Sequence, residues 1–340
     1  MPLSATRDRL AAGLRDFAWN EWAQMGVLGT TGRHSPWAQD PEALLVFTLE
    51  VAREDPRLFD EVLDWLVVNE RLISVRRLRA LCRTPDDEHL VAAALGWLGG
   101  ERPRARLAAR ATVDDRQPVQ LFRDRLPVSP PEADKAFAAH GFLRPPVDRT
   151  GNSQVPDLGL PINFAFRLRQ LLGVGARAEA SRFLLTVDAP RVTAQVVARS
   201  AGYAKRNVYE ALTELQRAGV VSTTTVGGEQ WFAVDRERWA AFLGHARTSP
   251  PSHRDWPQLL GAAVQMLRWL QRPDLDGLSG YLRNSQALDL LEGIAPDLRY
   301  AGVPTPAMNV PTAADDVAGL GDALLRELGV VPALSAPPPI

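Results

Sequence analysis

Three consecutive polar residues, Lys205, Arg206 and Asn207, are the side chains of this sequence best suited to recognising another molecule. A lysine ammonium binds a phosphate as a point charge, whereas an arginine guanidinium can donate two parallel hydrogen bonds to a guanine edge. An asparagine amide can pair in the same bidentate way with adenine. Tyr209 follows two residues later and could contact a thymine methyl group or a sugar.

A helix predicted over residues 204–218 positions these side chains. Its apolar residues recur at the i, i+3, i+4, i+7 spacing of a helix that packs on one face, and Gly219 ends it. The apolar residues are Val208, Ala211, Leu212 and Leu215. The opposite face holds Lys205, Arg206, Tyr209, Glu210, Thr213 and Gln216.

A shorter helix is predicted immediately before this one. Thr193 is a suitable N-cap, and the helix should stop near Gly202, which leaves a turn of three to four residues before Ala204. Arg199 at the end of the short helix and Thr193 at its start are then placed to bind phosphates.

Two β-rich runs follow the second helix, over residues 220–226 and 229–234, and only Gly227 and Gly228 separate them. Two glycines between alternating runs are a strong signal for a two-residue hairpin. Helix, turn, helix and hairpin, in this order, are typical of a winged helix-turn-helix.

The segment SAGYAKRNVYEALTELQRAGVV with its hairpin resembles the recognition-helix and wing region of ArsR/MarR-type winged-helix regulators. The resemblance covers about residues 176–239, or roughly a fifth of the chain. It implies a regulator that binds double-stranded DNA with the helix 204–218 in the major groove. The wing departs from the pattern, because its tip, Val226-Gly-Gly-Glu229-Gln230, contains no lysine or arginine. We therefore do not expect the wing to insert into the minor groove.

Charge is unevenly distributed along the chain. The formal net charge of the 340 residues is −1, but residues 161–247 hold 12 basic and 7 acidic residues. A local basic surface favours phosphate binding, since counterion release supplies much of the affinity for DNA. Only Lys135 and Lys205 are lysines among the 39 basic residues, so arginine is the general cation of this chain and is weaker evidence for phosphate contact.

The remaining sequence predicts a mostly α fold in which helical domains flank the winged helix. Asp40-Pro41 and Asp55-Pro56 each read as an N-cap followed by the first helical residue. Ser74 should cap a basic helix, Val75–Arg83, whose arginines Arg76, Arg77 and Arg79 form either a solvated face or part of a second helix-turn-helix. The predicted divisions are an N-terminal helical domain 1–100, a Pro-rich connection 101–160, the winged-helix domain 161–247, a C-terminal helical domain 253–330 and a frayed tail 331–340.

Within the predicted elements, the tryptophans of the N-terminal domain (Trp19, Trp22, Trp65 and Trp97) are expected in its core. Trp239 and Phe242 are expected to close the core of the winged-helix domain. The last amphipathic helix, which Thr312 should cap, either packs on its own domain or makes a homodimer.

Patterns for catalysis are missing from the sequence. The five histidines share no metal-ligand spacing, and there is no phosphate-binding glycine loop and no GxSxG motif. The single cysteine, Cys82, reads as a small buried apolar residue and fits a reducing compartment. With no signal peptide and no apolar run of about 20 residues, we expect a cytoplasmic protein that does not enter the membrane. We expect no enzyme activity, no metal and no cofactor.

The sequence therefore favours a sequence-specific DNA-binding transcriptional regulator whose site comprises Thr193, Arg199, Lys205, Arg206, Asn207 and Tyr209. The alternative is a protein-interaction module, or an antitoxin-type protein that holds a partner through its helical domains. Glu210, Glu229 and the near-neutral total charge favour this alternative.

Overall fold

A computed structural model describes residues 3–29, 32–99, 117–123, 125–244 and 250–330. They are mostly helical, with one sheet of two strands and one of three, which confirms the mostly α class. No helix within these ranges is long and apolar enough to cross a bilayer. In chain order the elements are α1 (Leu3–Gln24), α2 (Pro41–Val51), α3 (Pro56–Asn69), α4 (Val75–Ala80), α5 (Pro85–Gly99), β1 (Val119–Gln120), α6 (Lys135–Ala138), β2 (Phe142–Leu143), α7 (Phe164–Leu172), α8 (Ala176–Thr186), β3 (Val192–Thr193), α9 (Ala194–Ala201), α10 (Lys205–Arg217), β4 (Ser222–Val226), β5 (Glu229–Ala233), α11 (Arg236–Phe242), α12 (Trp256–Leu270), α13 (Gly280–Tyr300) and α14 (Ala313–Glu327).

The chain divides into two compact units. One joins Met1–Trp19 to Gln258–Ile340, and the other is Asn20–Pro257. This division differs from the predicted domains, because residues 20–100 and 161–247 belong to the same unit and the start of α1 belongs with the C-terminal helices. The tail 331–340 and residues 100–116 lie outside the described residues.

In the unit that contains the C-terminal helices, α1 approaches α14 closely at Gly13. A Cβ at this glycine would lie 2.5 Å from Leu325 Cδ2, so a larger residue would not fit without movement of that leucine. Helix α13 runs to Tyr300 and carries Pro296 inside it. Thr312 precedes α14 as expected, but its hydroxyl donates to Asp316 Oδ2 at 2.9 Å instead of capping the backbone.

Three predicted N-caps of the larger unit, at Asp40, Asp55 and Ser74, are confirmed. Carboxylate oxygens of Asp40 and Asp55 accept hydrogen bonds from backbone amides at 3.0 and 3.1 Å, and Ser74 Oγ accepts from the backbone nitrogen of Arg77 at 3.3 Å. Caps of this kind satisfy amides that the helix leaves without partners and contribute about 1 kcal/mol each. Helix α4 ends at Ala80, three residues earlier than predicted.

Two of the four tryptophans expected in the N-terminal core are fully buried. Trp22 and Trp65 pack edge to face with ring centroids 5.0 Å apart. Their indole nitrogens donate to Thr48 Oγ1 at 2.8 Å and to the Met25 carbonyl at 2.7 Å. The other two, Trp19 and Trp97, are only half-buried.

The proline-rich stretch 144–161 is a packed connection instead of a free linker. Backbone amides of Gly151 and Ser153 donate to the two carboxylate oxygens of Asp64 at 3.0 and 3.2 Å. The Gln154 amide donates to the Gly26 carbonyl at 2.8 Å. The stretch is thus tied to the helical part of the unit and leads into α7.

The core formed by α7, α8 and α11 differs from the prediction at one aromatic residue. Trp239 of α11 is 7% exposed and donates from its indole nitrogen to the Val220 carbonyl at 3.3 Å. Phe242, which was expected beside it in the core, is 67% exposed. One turn of helix separates the two residues, and only the first faces α7 and α8.

Candidate nucleic-acid interface

Helix α10 is seated by one apolar face, as its periodicity predicts. Val208 and Leu212 are fully buried and share a core with Val197 of α9 and Phe232 of β5. The helix starts one residue after Ala204, which occupies the N-cap position without a side-chain hydrogen bond. This seating leaves the opposite face of the helix to solvent.

The turn between α9 and α10 depends on Gly202. Its φ of +66° is left-handed, a conformation that glycine adopts without steric cost. A Cβ at this position would also lie 3.1 Å from Leu81 Cδ2. The glycine therefore serves both the turn and the close approach of the segment that follows α4.

The three-stranded sheet has the order β3-β5-β4, with antiparallel pairing on both sides of β5. Gly227 and Gly228 have φ values of +59° and +82°, so the hairpin turn has positive φ at both central residues, which only a type I′ turn requires. The turn was expected from the sequence. The pairing of β3 with β5 was not, because a strand of two residues has no recognisable pattern.

Lys205 and Arg206 are both exposed at the start of α10. The Arg206 side chain is 88% exposed, and its Nε donates to Glu210 Oε1 at 2.9 Å, one turn along the helix. The hydrogen bond and charge of Glu210 raise the pKa of this guanidinium, which is charged at any physiological pH. An ion pair so open to water is weak and can exchange its carboxylate for another anion or acceptor.

The side chain of Tyr209 makes two contacts with β5 that the sequence did not indicate. Its hydroxyl donates to Gln230 Oε1 at 2.9 Å, and its ring lies edge-on to Phe232 with centroids 6.2 Å apart. Both partners belong to β5, so Tyr209 links α10 to the hairpin. It keeps 44% of its surface exposed, on the same helix as Arg206.

The other three predicted site residues differ in exposure. Arg199 is exposed and Asn207 is half-buried. Thr193 is only 7% exposed, because it lies in β3 opposite Trp231 of β5. It occupies the N-cap position of α9 but makes no side-chain cap bond. The Thr193 side chain therefore has little exposed surface with which to contact a phosphate.

Helix α4 packs against the turn between α9 and α10, which the sequence did not indicate. The Nε of Arg77 donates to the carbonyl of Ala201, the last residue of α9. The hydroxyl of Tyr203 donates to Ser74 Oγ at 3.2 Å. The expectation that Arg77 belongs to a solvated arginine face is wrong, because its side chain is fully buried.

Arg77 belongs to a cluster of six buried charged side chains, which we call the buried charge cluster. Its members are Asp40, Glu42, Arg77, Arg169, Glu179 and Arg182, and each is at most 1% exposed. Three carboxylates and three guanidiniums leave the cluster formally neutral. Isolated buried charges cost several kcal/mol each, so this pairing is a condition for burying them at all.

The contacts of the buried charge cluster connect the N-terminal helices to α7 and α8. Arg77 pairs with Asp40 and, at 2.8 Å, with Glu42. Arg169 of α7 donates to Glu42 Oε2 at 2.7 Å and to Glu179 Oε1 at 2.6 Å. Glu42 is thus shared between two arginines that lie far apart in the chain.

The cluster keeps its members ionised. Burial alone would raise the pKa of Glu179, but Arg169 and Arg182 hold it well below its usual value. Burial would likewise raise the pKa of Asp40, and Arg77 outweighs it. For Arg77, burial opposes the charged form, but Asp40 and Glu179 raise the pKa well above its usual value.

Ser200 of α9 lies within hydrogen-bond distance of a histidine and an aspartate, but the three residues do not form a catalytic triad. Ser200 Oγ donates to Asp255 Oδ1 at 2.6 Å and lies 3.3 Å from His253 Nε2. The same Nε2 lies 3.1 Å from Asp255, so the carboxylate does not hold the opposite ring nitrogen as a triad requires. Ser200 is 1% exposed and inaccessible to a substrate. His253 belongs to this partly buried cluster, and His245 lies outside the described residues.

Cys82 is half-buried, less than expected, and its Sγ lies 3.5 Å from the Leu78 carbonyl. Burial, followed by the charges of Asp87 and Glu88, raises the pKa of its thiol to about 12. A thiol of this kind is a poor nucleophile. Among the residues the structure describes, no group of three or more histidine, cysteine or acidic side chains could hold a metal ion.

No protein family, curated protein or solved structure matches this chain. The resemblance to ArsR/MarR-type regulators therefore stays a prediction from the sequence of residues 176–239. Within these residues, α10 begins with two exposed cations, Lys205 and Arg206, and the hairpin of β4 and β5 follows the helix.

Proposed function

We propose that residues 161–244 form a winged helix-turn-helix and that the protein is a sequence-specific DNA-binding regulator. The order helix, strand, helix, helix and hairpin over 176–233 supports this assignment, as does the sheet in which β3 pairs with the second hairpin strand. Helix α10 would be the recognition helix, because the second helix of such a pair enters the major groove.

The observation that carries the proposal is the contrast between the two faces of α10. Val208 and Leu212 are fully buried, whereas Lys205 and Arg206 at the N-terminal end are exposed. The N-terminal residues of a recognition helix are the ones that contact base edges. A cationic, solvent-facing helix start is what such contacts need.

Each exposed side chain then has a distinct role. Arg206 would contact guanine and Asn207 adenine, while Lys205 and Arg199 would bind phosphates. Tyr209 would contact DNA only with its exposed part, because its hydroxyl is bonded to Gln230. The hairpin tip is exposed and has no cation, so it would add few phosphate contacts.

The test is to sequence the DNA fragments that co-purify with the full-length protein and to measure binding to them over a salt titration. We expect the observed binding constant to fall with rising salt, and the Lys205→Ala variant to bind all duplexes more weakly with a smaller salt dependence. Parent-like binding by this variant would refute the assigned face. Failure of the parent to bind any duplex at low salt would refute the proposed function.

One observation favours a second candidate, a protein-docking role for the same surface. Glu210 and Glu214 are both more than half exposed on α10, and Glu229 is exposed at the hairpin tip. These carboxylates would repel phosphates but suit a basic partner protein. The same salt titration separates the two candidates, because docking predicts no duplex binding even at low salt.

A further inference from the structure

We propose that the open edge of strand β4 is a homodimer interface, at which β4 of one protomer pairs antiparallel with β4 of its partner. This pairing would join the two three-stranded sheets into one sheet of six strands. The inference goes beyond the proposed function and does not rest on it, because the dimer would form without DNA.

Strand β4 lies at the edge of its sheet. The strand order is β3-β5-β4, so β4 pairs with β5 on one side only. Four of its five residues are exposed, and the fifth, Thr223, is half-buried. The unpaired backbone groups of an edge strand are a template for the pairing of another strand.

The hairpin turn determines which backbone groups of β4 point outward. A two-residue turn closes on a hydrogen-bonded pair, here Val226 and Glu229, and such pairs alternate along an antiparallel ladder. Thr224, two positions before Val226, is therefore also hydrogen-bonded to β5. The N–H and C=O groups of Thr223 and Thr225 then point away from β5, and none of them has a partner among the described residues.

The outward groups suit pairing with a second copy of the same strand. When a two-fold axis passes beside Thr224, Thr223 lies opposite Thr225 of the partner subunit, and Thr225 lies opposite Thr223 of the partner subunit. Each of these pairs exchanges two hydrogen bonds, so all the outward backbone groups of Thr223 and Thr225 in both protomers gain a partner. The two copies of Thr224 then face each other across the axis.

The composition of β4 favours a copy of itself as the occupant of this edge. The strand reads STTTV and carries no charge, so no like charges face each other when it pairs with itself. Threonine pairs across antiparallel strands stabilise a sheet. Edge strands that resist association contain lysine, proline or a bulge, and β4 contains none of these.

The dimer should be weak, because the contact is small. Two strands of five residues bury much less surface than the roughly 1,600 Å² of a standard interface. The first measurement is sedimentation equilibrium of the full-length protein without DNA, at concentrations up to about 1 mM. We expect the average mass to rise with concentration from that of a monomer towards that of a dimer. A monomer at every concentration overturns the inference.

Thr224 allows a test of the two-fold register. Thr223 Oγ1 accepts a hydrogen bond from Gln216 of α10 at 3.0 Å, so the neighbouring Thr224 faces the other side of the sheet. Thr224→Lys and Thr224→Glu each place like charges across the axis, and we expect neither variant to dimerise where the parent is half dimeric. An equimolar mixture of the two should dimerise again, because opposite charges then face each other. Gln170→Lys and Gln170→Glu, at an exposed position of α7, are the matched controls and should associate like the parent.

Thr224→Cys gives a second readout. Opposite residues of a pair without hydrogen bonds have Cα atoms about 4.5 Å apart, a separation that a disulfide can span. Mild oxidation should therefore link the protomers of this variant, whereas the parent, with only the half-buried Cys82, should stay unlinked.

Three further results would overturn the inference. They are a dimer that both charged variants retain, a mixture of these variants that stays monomeric, and the absence of a cross-link in Thr224→Cys. Urea unfolding midpoints establish that lost association is not lost folding, and the cross-link decides alone if the charged variants do not fold. The proposed function stands or falls separately, on duplex binding.

Discussion

The Nε of Arg77 donates a hydrogen bond to the backbone carbonyl of Ala201, 124 positions further along the chain. The donor belongs to α4, and the acceptor is the last residue of α9. The remaining nitrogens of the same guanidinium bind Asp40 and Glu42. The buried side chain of Arg77 thus connects the turn before α10 to the N-terminal end of α2, where Asp40 is the N-cap.

Removing this side chain should strongly destabilise the protein. Arg77→Met is expected to lower the free energy of unfolding by about 3–5 kcal/mol, because Asp40 and Glu42 would remain buried with an uncompensated charge. Arg76→Met is the matched control, since its side chain is exposed and should change stability by less than about 0.5 kcal/mol. Urea unfolding followed by circular dichroism measures both, and equal stabilities for the two variants would contradict the buried role.

The buried charge cluster also predicts how stability depends on acid. The pKa values of Glu179 and Asp40 in the folded state lie below their ordinary values of 4.5 and 3.8. A depressed carboxylate pKa contributes stability that is present above the unfolded value and is lost as the pH falls towards the folded value. We therefore expect the free energy of unfolding to decline below about pH 4.5.

Urea unfolding at steps between pH 7 and pH 3 measures this decline. Glu179→Gln should be less stable at neutral pH, because Arg169 and Arg182 lose their shared carboxylate, and its stability should depend less on pH below 4.5. A variant whose acid dependence matches that of the parent would show that Glu179 does not carry the effect.

Gly202 and Gly219 allow a paired test of the turn. Both follow helices in the left-handed conformation, with φ of +66° and +73°, so alanine at either position costs about 1–2 kcal/mol. A Cβ at Gly202 also meets Leu81, whereas at Gly219 nothing lies within 4 Å. We expect Gly202→Ala to be the more destabilised variant in thermal unfolding, and equal losses would mean that the approach of Leu81 costs nothing.

The ion pair of Arg206 with Glu210 predicts opposite effects of two substitutions on DNA binding. Arg206→Ala should weaken binding to the specific site by about 5- to 150-fold and relax discrimination at one base pair. If the proposed function holds, Glu210→Gln should strengthen binding, because it removes both the competing acceptor of Arg206 and a negative charge that would face phosphates. Fluorescence anisotropy on the selected duplex measures both effects. Weaker binding by Glu210→Gln would mean that the carboxylate positions Arg206 productively.

Cys82 should resist alkylation in the folded protein. With its pKa raised to about 12, the thiol is almost wholly protonated at pH 8, and only the thiolate reacts. We expect the reaction with iodoacetamide to be at least about a hundredfold slower than in urea-unfolded protein. Similar rates in the two states would contradict the raised pKa.

The elements that local sequence determines were predicted well. The caps at Asp40 and Asp55 and the hairpin at Gly227 depend on residues within a few positions of one another, so a short pattern contains all the information. The apolar periodicity of α10 likewise fixes which of its faces is buried. Lys205 and Arg206 were expected to be exposed, and they are.

The errors concern residues whose environment is made by distant parts of the chain. Thr193 looked like an accessible helix cap, but pairing with β5 buries it. Arg77 looked like one cation of a solvated face, because its acidic partners precede it by more than thirty residues and nothing local distinguishes it from Arg76. One sequence signal could have indicated the buried pairing of Arg77. Two acidic residues, Asp40 and Glu42, lie at the start of a strongly apolar helix.

The even balance of the buried charge cluster limits how this protein can be divided. Residues 161–244, taken alone, would keep Arg169, Arg182 and Glu179, an excess of one positive charge in the interior. The segment left behind would keep Asp40, Glu42 and Arg77, an excess of one negative charge. A gene rearrangement that moved only residues 161–244 would therefore leave an unbalanced buried charge in both products. We therefore expect α10 and the N-terminal helices to be retained together when the gene is rearranged.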